Sequence, residues 1–271
     1  MKLAVYTLLF RDHALESIAK ILKELGYDGI EIRIAEDGIH MPIDISDDEV
    51  KKIKYTMDNM GLEIPCISSY CKLGYPGDRG ETELKKMEKV GRVAEILGSY
   101  YFRIQTANYN PELGYEKMRE IIRKQIEEIS TRLKRHNIEA LPIIEQHGIS
   151  CLSSSAGILI DLLRGISPEK IGVLYDPGNT VHEGWERPEI QIDILRDYIK
   201  YVHVKNYDRT PENPRRAVPS PLDKGILDWK MIIERLKAIG YNGYLSLEDF
   251  RPIPPEERAK EAINFLRSLI K

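Results

Sequence analysis

Short runs of strand-type residues, rich in β-branched side chains, alternate along the chain with longer segments whose apolar positions recur three and four residues apart, and this alternation repeats eight times. The runs predict strands at Leu3–Leu8, Gly29–Ile34, Glu63–Ser69, Tyr101–Thr106, Ala140–Gln146, Ile171–Asp176, Tyr201–Asn206 and Tyr244–Glu248. The periodic segments predict helices near 14–25, 47–60, 81–97, 112–136, 154–164, 189–197, 228–239 and 255–270. Ser46 before "DDEVKKI" reads as an N-cap, and Gly26, Gly61, Gly98 and Gly240 sit just past apolar-periodic runs as helix-ending glycines.

Alternating strand and helix units imply a parallel sheet covered by helices. Eight units without a spare strand or a linker fit a closed barrel better than an open sheet, and no GxGxxG follows the first strand. The chain is therefore read as an α/β protein, a single (β/α)8 TIM barrel occupying residues 1–271 as one domain. One connection, Asn206–Gly225, is long and Pro-rich, the kind of loop that usually covers or binds something.

Composition narrows the class. The net charge is −3, with 31% charged residues of nearly balanced sign, which argues against a nucleic-acid partner. Cys66, Cys71 and Cys151 show neither CxxC spacing nor clustering with histidine, so no disulfide framework or structural zinc site is expected and a cytoplasmic location is the default. The apolar start "MKLAVYTLLF" stops at Arg11-Asp12-His13 and reads as a strand rather than a secretory leader, and no run suits a membrane span.

In such a barrel the chemistry sits where the strands end. Strand five ends "LPIIEQHG", bringing Glu145 and His147 to the rim; strand six ends on Asp176; strand seven, "YVHVKN", carries His203 with Lys205 on the same face; strand eight delivers Glu248. Any one acid at a strand end is commonly a helix cap or a surface ion-pair partner. Three carboxylates and an imidazole from four consecutive strands cannot share a cavity uncompensated, and a divalent cation removes the objection. One divalent metal ion is expected; Mn²⁺, Mg²⁺, Co²⁺ and Zn²⁺ all suit an oxygen-rich set with one imidazole. Tyr6, Tyr70, Tyr109 and Trp185 are candidate walls for a substrate, and Glu31 is expected either to pair with an arginine or to touch substrate.

The stretches "GYDGIEIR", "IIEQHG", "VLYDPGN", "YVHVKNYDR" and "DKGILDWKMIIERLKAIGYNGYLSLED" together resemble the xylose isomerase-like TIM-barrel superfamily, over nearly the whole chain. Its members include ketohexose 3-epimerases, hydroxypyruvate isomerase, inosose dehydratase and endonuclease IV. The resemblance implies a metal held by Glu145, Asp176, His203 and Glu248, with Arg209, six residues past the histidine, contacting substrate. It also implies proton transfer through a cis-enediolate, with Glu145 and Glu248 as the acid/base pair. His147 and Lys205 are further candidates for substrate contact. Two positions depart from the ketohexose 3-epimerase pattern: Cys151 stands where a second Glu is usual, and Asn179 where a His is usual. Asn179 and, should its loop fold back, His182 are the substrate-binding candidates there.

The expected activity is thus a metal-dependent sugar or sugar-phosphate isomerase or epimerase, with a small-molecule sugar as partner and a possible homo-oligomeric state. Arg209, Arg215, Arg216 and Lys224 in the long loop are the candidate phosphate contacts. A dehydratase of the inosose or 3-dehydroshikimate type is the alternative on the same barrel. The endonuclease IV pattern is not matched, because its extra histidines are missing at Asn179 and in "NYDRTPENP". A sugar-sensing module without turnover would call for a lost ligand, and all four are present.

Overall fold

The structure, a computed structural model, describes residues 1–148, 150–183, 186–210 and 213–270, with the side chains of residues 183 and 213–215 also outside the description. Eight parallel strands close into a barrel: β1 (Lys2–Tyr6), β2 (Gly29–Arg33), β3 (Cys66–Leu73), β4 (Tyr101–Thr106), β5 (Leu141–Glu145), β6 (Gly172–Tyr175), β7 (Ile199–Val204) and, last in the chain, β10 (Tyr244–Leu247). The barrel closes where β1 pairs with β10 through Ala4↔Ser246 and Val5↔Leu247. Helices α1 (Leu15–Leu25), α2 (Asp47–Met60), α3 (Gly77–Leu97), α4 (Tyr115–Arg135), α5 (Ala156–Leu163), α6 (Pro177–Glu183), α7 (Pro188–Leu195), α8 (Trp229–Ala238) and α9 (Pro255–Ile270) follow the strands. A two-stranded antiparallel hairpin, β8 (Asn206–Thr210) with β9 (Asn213–Ser220), follows β7.

Side chains alternate across each strand, so the barrel has two distinct populations. Outward residues such as Ile30, Ile32, Val173, Val202 and Val204 join the helices in one large apolar core. Inward residues begin as a small plug of Ala4, Cys66, Ile143, Leu174, Tyr201 and Tyr244. Two residues further along several strands the inward positions turn polar, giving Glu31, Ser68, Arg103, Glu145, Asp176, His203 and Ser246, all buried. The same alternation that builds the core thus delivers the site.

Local chemistry explains the helix ends. Ser46 accepts from the Glu49 amide while the Glu49 carboxylate accepts from Ser46, a complete capping box, and α2 occupies the predicted span. Gly26, Gly61 and Gly98 take the left-handed conformation that ends a helix.

Three features differ from the sequence reading. The third strand starts later and ends later than expected, because Pro65 has no amide to give to the ladder and a register shift between Ser68 and Lys72 lets the strand continue. Straight after β6 comes α6, a short helix absent from the predicted spans; Pro177 opens it as the first helical residue, a position where its missing donor costs nothing. The long connection after β7 is in large part hairpin, held by the Asn206 carboxamide, which donates to the Leu222 and Leu227 carbonyls and accepts from the Tyr207 and Leu227 amides. All three cysteines are free and buried. Among the described residues no helix is long and apolar enough to cross a membrane.

Candidate metal centre

Glu145 ends β5, Asp176 and Glu248 each stand one residue past a strand, and His203 lies one residue before the end of β7. Their potential ligand atoms all lie within 4.8 Å of one another. His203 Nδ1 is 3.7 Å from Glu145 Oε1, 3.6 Å from Asp176 Oδ2 and 3.6 Å from Glu248 Oε2. These separations are too long for hydrogen bonds. All four side chains are buried.

Each candidate ligand is held from behind. His203 Nε2 donates to both oxygens of Glu31, at 2.9 and 3.0 Å, so Glu31 pairs with this histidine rather than with an arginine, one of the two roles expected for it. Glu145 Oε2 accepts from Gln105 Nε2 at 2.9 Å and faces Arg103 Nη1 at 3.3 Å. Asp176 accepts from the Asn179 side chain at 2.9 Å and from its amide at 3.2 Å. Lys205 Nζ lies 2.7 Å from Asp176 Oδ2 and also donates to Glu248.

The electrostatics follow from these pairings. Burial alone would raise the carboxyl pKa of Glu145, yet the Arg103 guanidinium and His203 hold it well below the usual range. Burial likewise opposes ionisation of Asp176, and the Lys205 ammonium and His203 overcome it. His203 is driven the other way: burial disfavours the imidazolium, but the negative charges of Glu31 and Glu248 raise its pKa well above the ordinary histidine value.

The residues fit a divalent cation on two counts. His203 Nδ1 is buried without a hydrogen-bond partner and points at three carboxylate oxygens. A neutral imidazole there would present a lone pair to three anions, which only a positive centre between them makes favourable. Around the cluster, with His203 neutral, buried Glu31, Glu145, Asp176 and Glu248 also outnumber Arg103 and Lys205 by two charges, the deficit that one dication fills. The cluster is able to hold such a metal.

The remaining expected residues divide. Lys205 joins the cluster directly. Asn179 is buried and spends its amide hydrogens on Asp176 and on the Gln146 carbonyl. His147 is half-buried, with Nδ1 donating to the Gly148 carbonyl at 2.8 Å; burial opposes its protonation, but contact with Cys151 and the charge of Glu145 lift its pKa to about 9. His182 packs edge-on against Tyr207, with ring centroids 4.6 Å apart, and Arg209 lies exposed on β8. Tyr6 stacks on His203, and its hydroxyl meets that of Tyr70 at 2.9 Å. Tyr109 is largely exposed, while Trp185 and the side chain of Arg215 lie outside the described residues.

Arg103 and Gln105 were not among the expected site residues. Their signal was present in "YFRIQT", where a charged and an amide side chain alternate with Phe102 and Ile104 inside an apolar strand. Such polar residues inside a strand mark the barrel-facing side as surely as residues at its end.

Known proteins resemble this chain in sequence and fold. An inosose dehydratase of Mesomycoplasma hyopneumoniae is 27% identical over 153 residues, covering 51% of this chain and 50% of that protein. Among solved structures, the IolI protein, which contains a bound zinc atom, superposes with a TM-score of 0.81 at 17% identity, over all of this chain and 98% of that one. A D-tagatose 3-epimerase-like protein superposes with a TM-score of 0.77 at 18% identity, again over the whole of this chain and 98% of that one. At these identities the two structures speak for the fold. The family described as xylose isomerase-like TIM barrel matches residues 19–269, a span that includes all four side chains of the cluster, and the chain belongs to that family.

Proposed function

We propose that the protein is a divalent-metal-dependent isomerase or epimerase of a sugar or sugar phosphate, moving a proton at the carbon next to a carbonyl through a cis-enediolate. The observation that carries this reading is the meeting of Glu145 and Glu248 around His203 Nδ1, in a buried cluster with a charge deficit of two. A bound divalent ion would supply Lewis-acid polarisation of the carbonyl and its neighbouring hydroxyl.

The chain's own residues account for the rest. Glu145 and Glu248 are the proton-transferring pair, one taking the proton and the other returning it; acid/base groups of this kind each contribute about 10²- to 10⁴-fold. Arg103 and Gln105 keep Glu145 ionised and aimed inward. Tyr6 and Tyr70 form an aromatic wall beside His203 that excludes water from the reacting carbons. Asn179 and Cys151 stand where ketohexose 3-epimerases carry groups that contact substrate, and Asn179 is committed to Asp176. A substrate other than a free ketohexose is therefore favoured, with Arg209, His182 and His147 as its further contacts.

A dehydratase is the second reading, favoured by the likeness to inosose dehydratase and by Lys205, whose ammonium beside Glu248 provides the proton donor that loss of water requires. One experiment separates the two. The metal-loaded protein is incubated in D₂O with a panel of ketoses, aldoses, inososes and their phosphates, and products are followed by NMR. Deuterium next to the carbonyl with an unchanged molecular formula is the expected outcome. Loss of water selects the dehydratase, and absence of both exchange and water loss across the panel rejects both.

A further inference from the structure

Glu31 has no part in the proton transfer, yet it is fully buried in the middle of the barrel. It stands on β2 and reaches His203 on β7, and β1 and β10 lie between those strands in the barrel order. The side chain therefore crosses the barrel interior. Ser68 and Ser246 are small enough to leave that passage open, and each donates its hydroxyl to one Glu31 oxygen. With both oxygens also accepting from His203 Nε2, the carboxylate is held on every side. A buried carboxylate without such partners would be strongly unfavourable.

A neutral imidazole, the form a metal ion binds, has one protonated nitrogen, and a proton committed there leaves a lone pair at the other. Nε2 is committed to Glu31. Nδ1, buried and without a hydrogen-bond partner, faces the oxygens of Glu145, Asp176 and Glu248. We infer that Glu31 is a positioning residue: by accepting the Nε2 proton it fixes the tautomer and tilt of the His203 ring, and so sets the affinity of the centre for a divalent cation. This assignment rests on the metal-dependent reading above.

Glu31→Gln keeps the shape and changes the chemistry. The carboxamide can turn its NH₂ toward Nε2, which then has to be the lone-pair nitrogen, and the proton moves to Nδ1 where it blocks the ion. Zn²⁺ titration of the metal-free protein against a chromophoric chelator should show affinity weakened by about 10- to 100-fold. The melting temperature of the metal-free variant reports folding. The ¹⁵N spectrum of the His203 ring in the zinc-loaded state should show Nε2–H in the native protein and loss of that single tautomer in the variant.

Native Zn²⁺ affinity and an unchanged ring tautomer in Glu31→Gln would overturn the role of Glu31 alone. Failure of the native protein to bind Zn²⁺ would overturn the metal-dependent reading with it. If Glu31→Gln does not fold, Ser246→Ala removes one hydroxyl from the carboxylate and should weaken Zn²⁺ by about fivefold, the value of one hydrogen bond; an unchanged affinity there also overturns the assignment.

Discussion

Asp176-Pro177-Gly178-Asn179 shows how much of the site is built from four consecutive residues. Asp176 offers a carboxylate to the cluster, Pro177 opens α6, and Asn179 ties the carboxylate down from one turn further on. Gly178 is needed for space: a Cβ there would lie 2.5 Å from Lys205 Cγ and 2.9 Å from Lys205 Cε. The Lys205 stem passes over the bare backbone, and only then does its ammonium reach Asp176 and Glu248. Gly178→Ala should push the lysine off this path and lower turnover by roughly 10- to 100-fold while the fold is kept. Turnover of Gly178→Ala, Lys205→Met and the double variant decides the cause. If the glycine acts through the lysine, the double variant is no worse than Lys205→Met; additive losses would refute the link.

At the scale of elements, boundaries were legible where a local device sets them. The capping box places the start of α2 without help from the rest of the fold. Ser46→Ala removes it and should cost about 1 kcal/mol, seen as a melting temperature lower by about 2–4 °C with unchanged turnover. A shift of the same size in turnover would mean that α2 bears on the site, against its position on the outer ring. Boundaries set by pairing were less legible. The third strand depends on its register against β4, including the shift after Ser68, and no run of residues in β3 encodes its partner. The hairpin after β7 was hidden because prolines suggested a loop, although Pro219 pairs with Tyr207 across it. The four candidate ligands were readable because they sit at or near strand ends, where the fold itself says to look. Their supports were not: Glu31 meets His203 across 172 residues of sequence, and Gln105 meets Glu145 across 40. Barrel closure creates those pairings.

At the scale of the whole molecule, the barrel carries a buried centre whose anions outnumber its cations by two unless His203 takes up a proton. This makes stability depend jointly on pH and metal. In the metal-free protein the raised pKa of His203 adds stability that is fully present below about pH 6.5, its value in an unfolded chain, and is lost as pH rises through the raised value. Binding a cation at Nδ1 displaces that proton, so the stabilisation by metal grows over the same range in which the proton's contribution fades. At a free ion concentration about a hundredfold above the dissociation constant, the gain should be about 2.7 kcal/mol, or roughly 5–10 °C in melting temperature. Melting curves with Mn²⁺ or Zn²⁺ against a chelator should therefore separate more at about pH 8.5 than at about pH 6. Asp176→Ala should abolish the separation at both. Curves that coincide with and without metal throughout, or a stabilisation that survives Asp176→Ala, would mean that the charge deficit is met by protons alone and that the four side chains do not form a metal centre.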